Sequence, residues 1–389
     1  MNTKLFRTKT EFLQRDNGCI QGLWEVALDI GYSAVKEFSP NSISAFPSYA
    51  TRIDKNFSYV TSAPKESIVY RDLDNDEMWL VGAIAQNTKE SGDTSDSEIS
   101  LYGRDRYWNP MFKVLVRVGL GLGLTKNQYG YPGNSTIVVQ SGLPARYMSD
   151  ASYLKDIIAG KHNFALRIGD GEWQMFHPEI DPENVYIMEQ PKGSLFSSVI
   201  RKDGLMTPDA GAIMNSNFII FDPGFGTFDL YMSKSGRPHC ETNQYLGMQR
   251  VLQETARLMK EEYGVEILVP EMQKYLETGS VPYIDRKTMV SGLHPIDKCL
   301  AKANHMVFEE MFEWMNDVVG AVTAYSYLIV TGGTSAAWEN KLRERCKARF
   351  PDVKVIFANQ NDTTLSLIYS NVRGYYLYRF NKMGNGKKM

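Results

Sequence analysis

Apolar residues gather in short blocks closed by glycine, proline or polar pairs, a punctuation that predicts strands and tight turns. "LWEVALDI", Leu23 to Ile30, stops at Gly31 and the chain becomes apolar again at Ala34, which reads as strand, turn and strand. "STIVVQSGLP" predicts a buried strand ended by Gly142 and Pro144, and "FALRIG", "EWQMFHP" and "NVYIMEQP" predict three more. "FSYVTS" and "MWLVGAIAQN" read as short β-runs. "FIIFDPGFGTFDLYMSKSG", residues 218 to 236, predicts a second hairpin.

Helical spacing takes over elsewhere. "PMFKVLVRVGLGLGL" puts Met111, Val114, Leu115 and Val118 on one face, and its late glycines suggest a closely packed end. "PKGSLFSSVIRKDG" suggests a short helix after a turn. Residues 245–263 carry Val251, Leu252, Thr255, Leu258 and Met259 at helical intervals, and "KCLAKANHMVFEEMFEWMNDVV" keeps that spacing for longer. "YSYLIVTGGTSAAWENKLRERC" reads as strand, glycine turn and helix, "DVKVIFAN" as a strand, and "TLSLIYSNVRGYYLYRF" as a last helix before a basic tail. The tract "ESGDTSDSEIS" near residue 95 predicts a mobile loop.

With 389 residues, 43% hydrophobic and 23% charged, the chain can bury the cores of two domains. A formal net charge of -2 lacks the electrostatic footprint of direct nucleic-acid binding. Cys19, Cys240, Cys299 and Cys346 stand far apart with no CxxC and read as reduced thiols. No apolar stretch is long enough for a membrane helix and the N-terminus lacks a signal-like core, so a cytoplasmic location is expected. The five histidines share no ligand spacing and none is assigned to a metal.

Three glycine turns carry the candidate chemistry. In the first, Gly31 and Ser33 are small enough to let backbone N–H groups meet phosphate oxygens, Asp29 can hold a hydrated Mg²⁺, and Lys36 can place charge on a phosphate. Alone, that spacing also fits a plain hairpin with a surface lysine. A second copy follows at Asp222, Gly224, Gly226, Thr227 and Asp229. Two such hairpins could grip a polyphosphate from both sides and share one cation between Asp29 and Asp222. The third turn, Gly332 and Gly333, joins a strand to a helix expected near Ser335, whose N-terminal amides favour phosphate. It is neither a GxGxxG fingerprint nor a GK[ST] loop.

In this order "DIGYSAVK", "DPGFGTFD" and "VTGGTS" resemble the phosphate-1, phosphate-2 and adenosine motifs of the actin-like ATPase superfamily. The resemblance spans residues 23 to about 380, and "AFPSYA", "VVQSGLP" and "NVRGYYLY" make it most similar to bacterial plasmid-segregating actins of the ParM type. It implies an α/β actin-like fold: two ribonuclease-H-like domains, each a mixed five-stranded sheet flanked by helices, with the nucleotide in the interdomain cleft. The domains would be residues 22–205, joined by a C-terminal helix at 365–389, and 206–364, after an extension at 1–21. The "GDGEWQMFHP" segment has no counterpart in the pattern.

The resemblance also implies ATP or GTP with Mg²⁺, bound by Asp29, Gly31, Tyr32, Ser33, Lys36, Gly224, Phe225, Gly226, Thr227, Gly332, Gly333 and Thr334. "LGMQRVLQET" falls where a helix lines the base side, adding Gly247 and Met248. Phe225 stands where relatives often carry glycine or a polar residue. Hydrolysis needs a residue that orients water. The family's position falls on "EQP": Gln190 first, Glu189 second, strand alternation letting only one face the cleft, with Asp222 assisting. The implied function is an ATPase that forms filaments by self-association and segregates plasmid or other DNA through an adaptor protein, without direct nucleic-acid or membrane contact. Alternatives are a small-molecule kinase of the same superfamily, which would need an aspartate base that Gln190 cannot replace, and a non-polymerising ATP-binding protein.

Overall fold

A computed structural model describes residues 2–59, 62–87, 104–284 and 288–386. The tract predicted as a mobile loop near residue 95 lies outside the described residues. The chain divides into two compact units: Lys9–Gly211 with Ala358–Met389, and Met1–Thr8 with Ala212–Phe357.

The first unit is built on a six-stranded mixed sheet in the order Glu11–Gln14, Ser42–Pro47, Ala34–Phe38, Leu23–Ile30, Thr136–Leu143, Val185–Glu189. The first four strands are antiparallel and the last two pairings parallel. Leu23–Ile30 is buried almost throughout, as a central strand covered on both faces must be. The expected five strands are thus joined at the edge by a sixth, Glu11–Gln14, from the polar N-terminal stretch. Helix Pro110–Leu124 covers one face. Its glycines let it sit close: a Cβ on Gly119 would come 3.0 Å from Leu28 Cδ2, and one on Gly123 2.8 Å from Val26 Cγ1. A second sheet, antiparallel, runs Gln174–Phe176, Phe164–Ile168, Ile68–Asp72, Glu77–Val81, Ala50–Ile53. The "GDGEWQMFHP" segment supplies its edge strand, Gln174–Phe176. Buried Arg117 ties the helix to this sheet, donating to Asp72 Oδ2 at 2.7 Å and to the Tyr70 hydroxyl at 2.9 Å.

Two β-runs read from sequence end differently. "MWLVGAIAQN" is a strand only to Val81. Gly82, at φ +77°, then turns the chain into helix Ala83–Asn87. In "FSYVTS" the described residues 57–59 form no strand, although Phe57 and Tyr59 both pack toward the small cluster of Val69, Met78 and Leu80.

The other face of the six-stranded sheet carries helices Gln190–Val199 and Ser370–Gly386, which cross where Gly193 meets Gly374. The shorter helix is capped from within the unit: Arg373 Nη1 donates to Ser197 O at 2.8 Å and Asn361 Nδ2 to Ser198 O at 2.7 Å. Burial lowers the Arg373 guanidinium to about 10, still charged at neutral pH.

Besides Asp29, two carboxyls are buried in this sheet. Glu37 accepts from the hydroxyls of Ser44 at 2.7 Å and Ser42 at 3.3 Å, yet burial outweighs these bonds and pushes it up to about 7. Burial also raises Glu25, partly opposed by the Arg379 charge. An unfolded glutamate ionises near 4.5, so between there and about pH 7 the folded state holds a proton that the unfolded chain has released. Stability therefore falls as pH rises through that window. Glu37→Gln, whose amide suits the same serine hydroxyls, is expected to leave stability at pH 5 nearly unchanged and raise it at pH 8 by up to about 3 kcal/mol. Urea unfolding at the two pH values checks this, and an equal change at both would contradict it.

The second unit holds a mixed five-stranded sheet, Arg237–Asn243, Phe228–Lys234, Phe218–Pro223, Tyr327–Val330, Lys354–Phe357, with helices Met248–Tyr263, Asp297–Val319 and Gly333–Arg349. Helix Val269–Thr278 and the hairpin Ser280–Ile284 with Ser291–Pro295 were not expected from the sequence pattern. The first residues of the chain dock here. Thr3 Oγ1 donates to Leu276 O at 2.7 Å, and Lys4 and Arg7 pair with Glu277 at 2.8 and 2.6 Å, placing two cations at a helix C-terminus. The N-terminal stretch is thus shared out, residues 2–8 to this unit and Glu11–Gln14 to the other sheet.

Candidate functional site

In the first unit, strand Leu23–Ile30 delivers Asp29 to the edge of the core, where it is 3% exposed and opposite Lys36 in the antiparallel register. Lys36 Nζ lies 3.2 Å from Asp29 Oδ2, so the two charges are paired across the hairpin. Gly31 N–H donates to Ala34 O at 3.1 Å and closes the turn through Tyr32 and Ser33. A Cβ on Gly31 would come 3.0 Å from Ala34 O and 3.2 Å from Lys36 Nζ, so the turn has room for glycine alone in this form. Ser48 braces the turn from below: its hydroxyl donates to Gly31 O at 2.7 Å and its N–H to Ser33 O at 3.0 Å. Ser48 stands in "AFPSYA", and nothing in its local pattern marks this role.

Gln190 reaches the same place, its Nε2 donating to Asp29 Oδ1 at 3.5 Å, the long end of a hydrogen bond. The route differs from strand alternation. Glu189 ends strand Val185–Glu189, and Gln190 is the first residue of helix Gln190–Val199, started by Pro191 in the first turn. The strand-to-helix junction separates the two side chains, Glu189 being paired instead with Lys192 at 3.2 Å.

In the second unit, strand Phe218–Pro223 carries Asp222, 9% exposed and opposite Asp229. Gly224 N–H donates to Thr227 O at 2.8 Å, leaving Phe225 and Gly226 at the tip. Thr227 Oγ1 donates to Asp229 Oδ2 at 2.8 Å, and Thr242 Oγ1 holds the other oxygen of Asp229 at 2.5 Å. Three groups converge on the turn's carbonyls: Met248 N–H on Gly224 O at 3.2 Å, Gln249 N–H on Phe225 O at 2.8 Å, and Thr334 Oγ1 on Gly224 O at 2.6 Å. Phe225 thus serves the turn through its backbone, and the Met248 side chain is buried in the core.

Two glycines make this convergence possible. A Cβ on Gly247 would come 2.6 Å from Phe225 O, and one on Gly332, which sits at φ +89°, would collide with the Asp222 carboxylate. The third glycine turn therefore lies directly against Asp222. Helix Gly333–Arg349 opens there with Gly332 at its cap, two residues before the expected start. A groove of about 760 Å³ adjoins Gly226, lined in part by Tyr245, Gln249, Gln253 and Trp314.

Among the described residues, no three of His, Cys, Asp or Glu converge as metal ligands. Cys299 and Cys346 are buried free thiols, and among the described residues no helix is long and apolar enough to cross a membrane.

Residues 27–193 match the family described as actin like proteins, N terminal domain. No curated protein matches the sequence. Solved structures do. A non-polymerisable quadruple mutant of pCBH ParM aligns over 93% of this chain and 99% of its own, at 18% identity and a TM-score of 0.66. ParM from a 15-stranded filament of Clostridium botulinum aligns over 92% and 99%, at 17% and 0.65. Ta0583, an archaeal actin homolog in complex with ADP, aligns over 92% and 99%, at 15% and 0.59. The chain accordingly has the fold of the actin-like superfamily as ParM displays it, its residues 27–193 matching the N-terminal domain of actin-like proteins.

Proposed function

We propose that the protein binds and hydrolyses a nucleoside triphosphate, ATP or GTP, and assembles with further copies of itself into filaments. The observation that carries this is the repeated construction of the two glycine turns. Each follows a central strand that brings a buried aspartate to the edge of a sheet, and each is held by contacts to its carbonyl oxygens, which suits its amides to phosphate. In this reading Gly31, Tyr32, Ser33 and Lys36 take one side of the phosphates. Gly224, Phe225, Gly226 and Thr227 take the other, Gly332, Gly333 and Thr334 the nucleoside end, and Gly247 and Met248 open the helix on the base side.

The donor set fits a hydrated Mg²⁺, since Asp29 and Asp222 each offer hard carboxylate oxygens, and a cation that keeps most of its waters needs no three-ligand protein cage. Bound there, the cation would offset phosphate charge. Gln190, within reach of Asp29, orients the attacking water. Its amide cannot act as the base that a kinase needs for an acceptor hydroxyl, which favours hydrolysis over transfer. Asp222 supports the water network, and Glu189 is the second candidate for that role.

Head-to-tail repetition that does not close gives a filament, and one of the neighbours with this fold is a filament. Segregation of plasmid or other DNA through an adaptor protein, in the cytoplasm, is the use we assign to it, consistent with the absence of a basic excess. Sedimentation of the full chain with ATP, GTP or no nucleotide, alongside phosphate release, tests the reading. Pelleting that requires triphosphate, with phosphate release following it, is expected. No polymer under any nucleotide, across salt and protein concentration, would reject the filament.

A further inference from the structure

Helix Pro110–Leu124 is preceded by a short turn, Arg104–Trp108, whose Arg106 is only 7% exposed. Its guanidinium lies over three aromatic rings, with centroids at 5.0 Å for Phe112, 5.2 Å for Tyr107 and 5.6 Å for Tyr32. Among the described residues its hydrogen bond is to the carbonyl of Ile30, at 3.4 Å from Nη1. Ile30 and Tyr32 are the two neighbours of Gly31, so this one side chain touches both flanks of the first glycine turn.

The other arginines nearby are balanced by carboxylates. Arg104 pairs with Asp150, and buried Arg117 with Asp72. Arg106 forms no ion pair among the described residues. A guanidinium cannot shed its proton and offers five donors. Among the described residues only the aromatic faces and the Ile30 carbonyl offset the cost of burying it, and they repay part of that cost.

We infer that Arg106 is a positioning residue for the phosphate groups taken by the Gly31–Ser33 turn. It acts through the Ile30 carbonyl and the Tyr32 ring, and its charge is balanced by the bound anion. The inference rests on the nucleotide reading of that turn. It makes a specific demand: Arg106 should favour the more highly charged nucleotide, and should do so through its charge.

Equilibrium binding of fluorescent N-methylanthraniloyl ATP and ADP to the full chain tests it, with thermal melting in parallel. Arg106→Met is expected to weaken the triphosphate about tenfold, which corresponds to about 1.4 kcal/mol, and the diphosphate clearly less. Arg106→Lys, which keeps the charge, is expected to recover most of the loss. Equal affinities of wild type and Arg106→Met for both nucleotides would overturn the inference and leave the site reading intact. So would a common loss in both variants that tracks a lowered melting temperature, which marks a packing role. Wild-type protein that binds neither nucleotide would remove the phosphate reading of the turn itself.

Discussion

Gln190→Ala is expected to lower phosphate release roughly a hundredfold or more while leaving nucleotide affinity nearly intact. The side chain donates toward Asp29 from the first residue of a helix, and a donor aimed at the reacting groups typically carries about 10²–10³ in turnover. Little ground-state binding depends on it, because the phosphate contacts assigned above come from the glycine turns. The effect therefore belongs on kcat rather than KM. Glu189→Ala separates the two candidates. Glu189 is turned to Lys192 at 3.2 Å, a half-exposed partner, and among the described residues no hydrogen bond joins it to Asp29, so its removal should barely alter turnover. Single-turnover hydrolysis with both variants is the measurement. An active Gln190→Ala beside an inactive Glu189→Ala would transfer the water-orienting role to Glu189.

Gly374→Ala is expected to cost about 3 kcal/mol or more and to take hydrolysis down with stability. A Cβ on Gly374 would fall on the carbonyl oxygen of Gly193 and within 2.9 Å of its Cα, and backbone cannot rotate aside as a side chain can. The reciprocal position is as tight, since a Cβ on Gly193 would stand 2.6 Å from Asn371 O. Relief requires the two helices to separate. Because Gln190 begins one of them, separation displaces it from Asp29. Gly384→Ala is the internal control. It lies on the same C-terminal helix, a Cβ there meets nothing within 4 Å, and the change should be neutral or stabilising by a few tenths of a kcal/mol. Chemical denaturation of the pair distinguishes crowding at the crossing from a general sensitivity of the helix.

Much of this arrangement could be read from the chain, for identifiable reasons. Leu23–Ile30 and Phe218–Pro223 are buried on both faces, so their sequences are mostly apolar, interrupted by Glu25 and by the aspartates near their ends, and small turns follow them. Both properties are local. The structure brings Gln190 to Asp29, but from the start of a helix and not from a strand. Strand alternation cannot decide between Glu189 and Gln190 once Pro191 starts a helix between them. Ser48 and Arg106 were not legible at all. A serine in a loop and an arginine before a helix acquire meaning only through partners at Gly31, Ser33 and Ile30, which the fold brings together. The hairpin Ser280–Ile284 with Ser291–Pro295 escaped notice because its exposed strands carry no core-facing run. Helix Ala83–Asn87 was hidden in an apolar stretch too short for period alone to separate helix from strand.

The capped helix Gln190–Val199 has a mechanical consequence. Ten residues make a rod about 15 Å long, with Gln190 at one end and the Arg373 and Asn361 contacts at the other. The Gly193–Gly374 crossing leaves no slack along its side. An axial shift of Gln190 cannot be absorbed inside the rod, and must be delivered to Arg373 and hence to the C-terminal helix. Whatever moves the Gln190 amide along this axis is felt about 11 Å away, at the Ser197 and Ser198 carbonyls.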